Sequence, residues 1–312
     1  MVSSQPVRNI ARRGRCAMLL APAGSLDAAT EAFQAGADAV YVGLKGWSRG
    51  GARGELDRNG LRQCMQLARV TRKQVQLAIN TIPKPPERRG LLQGLVELAD
   101  SGLRAVIVND IGLLRDVSRE LPSLSVTVSI GAGALNLDDV RFYQDLGASA
   151  VVLPGYVEPQ EIAAIKTKTV IAIEVMLHMV EEFIQLGKCW IPSYLHFAAA
   201  ERRRTECLSG SVKRGGVGAC FRICQRPWTV LKDGRKVDCR LLPSRQISRV
   251  AELGEYLDAG VDVIKIQGRS LSAELVGAVT RVYRSALDAQ TRGRAVIRTA
   301  PALPPMWTVQ GR

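Results

Sequence analysis

The sequence predicts an α/β protein of the (β/α)8, TIM-type barrel class, and three observations predict it. An amphipathic helical pattern, a glycine and a short β-branched run recur as one phrase: Leu26–Gln34, Gly36, Ala39–Val42; Leu91–Ala99, Gly102, Ala105–Val108; Leu137–Leu146, Gly147, Ala150–Leu153; Ile247–Leu257, Gly260, Val261–Ile266. Filling the gaps between these phrases gives eight runs of strand length. The runs are nearly continuously apolar, as strands covered on both faces are, which suits a closed sheet wrapped by its own helices.

In chain order the strands are expected near Met18–Leu20, Ala39–Val42, Gln76–Asn80, Ala105–Val108, Ser125–Ser129, Ala150–Leu153, Val170–Leu177 and Val263–Ile266. Each glycine of the phrase ends its helix, because left-handed backbone is free of strain only without a Cβ. The proline-rich stretch Ile82–Arg89 reads as a loop at the barrel mouth. From Glu181 to about Ser244 the helix-strand rhythm stops, and five of the seven cysteines occur there among glycine and arginine. The organisation is therefore a basic tail (1–17), a barrel (18–291) interrupted by a Cys-rich insertion (181–244) between strands seven and eight, and a C-terminal tail (292–312). An insertion after a barrel strand emerges at the C-terminal face, where barrel active sites lie.

Composition narrows the function. The chain has 312 residues, 46% of them hydrophobic, enough for a large core, and no apolar run approaches the ~18 residues of a membrane span, so it is read as soluble and cytoplasmic. Its first eighteen residues hold Arg8, Arg12, Arg13 and Arg15 but lack the apolar segment of a secretory signal. Net charge is +14 and pI near 9.9, a field that attracts anionic partners. Seven cysteines in a large chain without a secretory signal argue for metal or redox chemistry over a disulfide framework.

Cys220-Phe-Arg-Ile-Cys224 sets two thiols four residues apart behind Gly215-Gly216-Val217-Gly218, with Cys189 and Cys207 upstream and Cys239 downstream. Close cysteine spacing lets two thiolates serve one cluster, and glycine lets the backbone bend round it. Four thiolates suit either zinc or an Fe-S cluster, and paired C-x2-C zinc knuckles are absent. Cys16 and Cys64 are isolated and read as ordinary thiols.

Six motifs, in order, resemble a known family. They are Leu20-Ala-Pro-Ala-Gly24, Gly36-Ala-Asp-Ala-Val-Tyr-Val-Gly43, Ala172-Ile-Glu-Val-Met-Leu-His178, Gly187-Lys-Cys189, Gly218-Ala-Cys220 and Asp258 through Arg269. Over roughly residues 18–290 the chain resembles the collagenase-like peptidase family U32, and in cysteine pattern the UbiU and UbiV-type Fe-S proteins of O2-independent hydroxylation in ubiquinone biosynthesis. The resemblance implies an Fe-S protein, an enzyme or a subunit of one, that hydroxylates an aromatic or quinone precursor or a nucleobase. It also implies a 4Fe-4S cluster, prephenate as an oxygen donor and a paralogous partner subunit. By the resemblance Cys189, Cys220 and Cys224 are cluster ligands, while the family's other ligand positions fall on Glu182 and near Trp47 and Ser248. Cys207 is the favoured fourth ligand, with Cys239 as its replacement and a three-cysteine cluster with one open iron as the alternative.

Further candidates lie on the barrel. His178 matches a family position and is expected to point to the mouth as a proton donor or anion contact, with Glu174 on the same face by the two-residue period. Lys265 and Arg269 are expected to hold a dicarboxylate donor such as prephenate, since guanidinium binds carboxylate bidentately; the family's glutamate between them is Gln267 here. Arg202, Arg203, Arg204, Lys213, Arg214, Arg222 and Arg226 make the insertion basic enough to contact RNA, and a tRNA- or rRNA-modifying or RNA-binding role is the first alternative. A literal peptidase is the second; the chain has only two histidines and no His-Glu-x-x-His helix.

Overall fold

The structure, a computed structural model, describes residues 17–48, 54–180, 227–241 and 246–291. Cys189, Cys207, Cys220, Cys224 and the basic cluster 202–226 lie outside the described residues, as do residues 1–16 of the predicted basic tail and the whole C-terminal tail.

Seven strands alternate with helices: β1 (Met18–Ala23), α1 (Leu26–Gln34), β2 (Ala39–Gly43), α2 (Arg58–Thr71), β3 (Gln74–Ile79), α3 (Pro85–Asp100), β4 (Ala105–Val108), α4 (Ile111–Glu120), β5 (Ser125–Val128), α5 (Leu137–Asp145), β6 (Ala150–Pro154), α6 (Pro159–Lys166) and β7 (Ala172–Val180). There follow a hairpin of β8 (Pro227–Lys232) and β9 (Arg235–Leu241), then β10 (Gln246–Ser248), α7 (Leu253–Asp258), β11 (Val263–Ile266) and α8 (Ala273–Thr291). Strands β1 to β7 pair in sequence and in parallel, and β11 pairs with both β7 and β1. The eight parallel strands therefore form a closed (β/α)8 barrel, as the sequence predicts.

Local chemistry sets the helix starts. Ser25, Asp57, Asp110 and Asn136 each accept the backbone N–H three residues on with a side-chain oxygen, which satisfies an otherwise orphaned donor. The predicted loop Ile82–Arg89 is corrected: α3 begins at Pro85, whose missing N–H costs nothing in a first helical turn, and Glu87 reaches back to the Lys84 N–H at 2.8 Å.

Strand alternation divides the core. Leu19, Val40, Leu77, Val106, Val151, Ile173 and Ile264 point outward and bury against helix residues such as Leu61, Leu95, Leu113, Ile162 and Tyr283 in one cluster. Each such side chain contributes about 1.5–3 kcal/mol. Inside the barrel a smaller cluster holds Leu20, Ala39, Tyr41, Ala78, Ile107 and Val263.

Two elements depart from the sequence reading. The predicted helix Ile247–Leu257 starts only at Leu253, because Gln246–Ser248 pair antiparallel with the end of β7. Ile247 packs beside the cluster of Val152, Met176 and Met179, and this burial, with the hydrogen bonds offered by the long β7, outweighs helical periodicity. The hairpin turns on Asp233 (φ 51°) and Gly234 (φ 74°), the two left-handed positions that a two-residue hairpin requires.

Candidate functional site

Polar side chains occupy the inside of the barrel where apolar ones are usual. Glu174 on β7 and Lys265 on β11 form an ion pair, Lys265 Nζ to Glu174 Oε1 at 2.6 Å, with side-chain exposures of 1% and 4%. Desolvation pulls the lysine pKa down, and the adjacent carboxylate works against that pull. The ammonium also sits 4.4 Å from the centroid of Tyr41, whose hydroxyl donates to the Ile266 carbonyl at 3.0 Å.

Arg269 follows directly at the C-terminal mouth. Its guanidinium lies 5.7 Å from the Tyr41 ring centroid, and Nη1 donates to Ser48 Oγ at 2.8 Å. Ser48 in turn donates to Glu55 Oε1 at 2.9 Å, and the Gly46 N–H meets Glu55 Oε2 at 3.2 Å, so the loop after β2 carries a carboxylate behind the arginine. Two glycines make room. A Cβ on Gly43 would collide with both Arg269 Nη1 and Ser48 Oγ, and Gly268 has φ 147°, where a Cβ would strike Leu271. Lys265 and Arg269 are thus both brought to the ring of Tyr41.

The predicted orientation of His178 is corrected. Lys265 pairs with Met176 but Ile266 with His178, so Leu177 is the extra residue of a β-bulge and the two-residue alternation breaks. His178 therefore leaves the face shared by Glu174. It is fully buried, its ring edge-on to Tyr283 of α8 at 5.7 Å between centroids, and burial pushes its pKa down to about 4. Tyr283 donates to the Leu177 carbonyl at 2.9 Å and lies 3.3 Å from Ser248 Oγ, so Ser248, near which the resemblance implies a ligand position, is part of the wall behind β7.

Tyr41, Ser48 and Glu55 were not singled out from the sequence. Tyr41 had a signal: in Ala39-Val-Tyr41-Val-Gly43 it shares the inward face with two small residues. Ser48 and Glu55 sit on a loop whose pattern offers none. Of the five insertion cysteines, Cys239 lies in β9 opposite Thr229, and the other four fall outside the described residues. Among the described residues no group of three or more His, Cys, Asp or Glu is arranged to hold a metal ion, and no helix is long and apolar enough to cross a membrane.

A closed barrel with an ion pair inside it and an arginine seated at its C-terminal mouth is the class that fold and site define. The chain belongs to peptidase family U32, whose family model matches residues 24–303. It is similar to the 23S rRNA 5-hydroxycytidine C2501 synthase of Escherichia coli (29% identity, covering 87% of this chain and 39% of that protein). It is also similar to the tRNA hydroxylation protein P of Escherichia coli (25%, 88% and 69%) and to a collagenase of Porphyromonas gingivalis (26%, 88% and 66%). The chain thus spans between about two fifths and two thirds of these relatives' lengths. A solved U32 peptidase shares the fold, with a TM-score of 0.52 at 15% identity over 85% of this chain and 98% of that one.

Proposed function

We propose that this chain is an Fe-S protein of O2-independent hydroxylation, acting on a nucleobase of tRNA or rRNA, alone or with a paralogous partner subunit. The observation that carries the reading is the likeness, over nearly nine tenths of the chain, to proteins named for rRNA and tRNA hydroxylation. An aromatic or quinone precursor is the other substrate class that the family motifs support.

In this reading Arg269 takes a carboxylate of the oxygen donor, prephenate, because Ser48 and Tyr41 hold the guanidinium at the mouth before the donor arrives. Lys265 adds positive potential below it, and Glu174 keeps that lysine charged within the barrel. His178, neutral and wedged against Tyr283, positions the end of β7. Cys189, Cys220 and Cys224 with Cys207, or Cys239 in its place, would hold a 4Fe-4S cluster; four thiolates fit its donor requirement. When bound, the cluster supplies electron transfer or Lewis acidity. The arginines of the insertion supply the RNA contact.

Nucleoside mass spectrometry of tRNA and rRNA from cells with and without this gene tests the reading. A hydroxylated nucleoside that disappears with the gene, and does not return with Arg269→Ala, is the expected result; an unchanged nucleoside profile contradicts it. The collagenase relative supports a second reading, peptidase activity, which release of peptides from denatured collagen by the purified chain would favour.

A further inference from the structure

Helix α2 differs from every other α-helix of the described residues: it contains no aspartate or glutamate, whereas each of the others carries at least one. Its cations are also aligned. Arg58, Arg62 and Arg69, with Lys73 just past the end, follow one another at helical repeats and share one stripe, in which Gln66 fills the gap between Arg62 and Arg69. The three arginines are exposed. Like charges one turn apart repel, and Arg58 in the first turn also meets the positive end of the helix dipole, so this pattern works against the helix that carries it.

Neighbouring elements relieve only the two ends of the stripe. Arg58 meets Glu97 of α3 at 2.7 Å in an exposed pair, and Lys73 lies 3.9 Å from Asp38. The side chains of Arg62 and Arg69, between them, form no ion pair or hydrogen bond with the described residues. The stripe has a direction as well. α2 leaves the loop that braces Arg269 through Ser48 at the C-terminal mouth, and it descends about 21 Å along the flank of the barrel. At the N-terminal face Arg62, Arg69 and Lys73 line, with Arg104, one rim of a cavity of about 1360 Å³ whose wall includes Ala105, Ala150 and Ala172. A lipid surface would call for exposed apolar anchors beside the cations, and Val70, the exposed large apolar residue of α2, lies off the stripe.

We infer that the α2 stripe is a docking surface for RNA, along which the phosphate backbone runs away from the mouth. Arg62 and Arg69 stand about 10 Å apart along the helix axis, a span of roughly three nucleotides of one strand, and each meets a phosphate. The inference rests on the RNA reading above, but on residues other than the arginines of the insertion.

The test is filter retention of unfractionated tRNA and of total rRNA on the full chain, purified without oxygen, over a series of salt concentrations. Arg62→Gln with Arg69→Gln should lower the slope of log K against log salt by about 1.5 and weaken binding about thirtyfold at 0.1 M salt, because each phosphate contact contributes roughly 0.7–0.9 to that slope. Arg62→Lys with Arg69→Lys keeps the charge and should keep most of the slope. Arg115→Gln with Arg141→Gln removes the same charge from α4 and α5, helices that also carry acidic residues, and should bind as the parent does. Four results overturn the proposal: the parent retains neither RNA, the Arg62/Arg69 glutamine variant keeps the parent's affinity and slope, the Arg115/Arg141 variant loses as much, or the Arg62/Arg69 substitutions release the chain from phosphatidylserine vesicles and leave RNA binding unchanged. The hydroxylation reading fails separately, by a nucleoside profile indifferent to the gene.

Discussion

The two ends of this barrel are built on opposite plans. At the C-terminal mouth the side chains are tied down: Arg269 bonds Ser48, Ser48 bonds Glu55, and Gly43 leaves just the space that this arrangement fills. At the N-terminal face alanines line a cavity, and among the described residues Glu174 Oε2 and Gln76 Oε1 have no donor. The Glu174–Lys265 pair stands between the two, buried, with Lys265 against the mouth-side Tyr41. The lesson is that one buried ion pair can separate a tightly bonded end of a barrel from a loosely filled one.

The largest effect should come from breaking that pair. Lys265→Met leaves Glu174 without its partner in the barrel, and loses about 3–5 kcal/mol in denaturant unfolding. Pairing it with Glu174→Leu should recover most of the loss; a double variant as unstable as the single one would mean that the pair is not the unit described.

A pH series separates the mouth from the wall behind it. His178 titrates at about 4 when folded against 6.5 when unfolded, so its contribution is complete above pH 6.5 and is lost as pH falls toward 4, by roughly 3 kcal/mol. His178→Phe should flatten this part of the stability profile relative to the parent. A histidine solvated in the mouth would leave the two profiles parallel.

Gly43→Ala probes the tied end alone. The added methyl displaces Arg269 and Ser48, with an expected cost of about 1–3 kcal/mol by unfolding measurements. At the open end, Arg69→Gln should change stability by less than about 0.5 kcal/mol, because this exposed side chain has room to be altered. Equal losses at the two ends would erase the contrast between them.

Much of the fold was legible because buried parallel strands leave a continuous apolar trace. All eight barrel strands fall where such runs occur, and Gly36, Gly102, Gly147 and Gly260 carry the positive φ expected of helix-ending glycines. The misreadings were local competitions. Pro85 looked like a loop residue but is equally suited to a helix start. Ile247 had helical spacing, yet pairing with the overhanging end of β7 prevailed. The candidate site was legible in part: Lys265 and Arg269 were singled out at the eighth strand and Glu174 by its two-residue period on the seventh, and the structure brings Lys265 to both Glu174 and the Tyr41 ring that Arg269 shares. His178 was aimed wrongly because a one-residue bulge leaves no mark in the hydrophobic pattern, and the Ser48–Glu55 support was missed because loop contacts have no period.

The central claim, that this U32 barrel is a cluster-bearing hydroxylation protein, rests most directly on its metal. Iron and acid-labile sulfide should be counted in the chain purified without oxygen, and in Cys→Ala variants at 189, 207, 220, 224 and 239. The account predicts a brown protein with about four irons and four sulfides per chain. Both should be lost from the variants of Cys189, Cys220 and Cys224 and from one of Cys207 or Cys239. A colourless, iron-free protein from that preparation would contradict it.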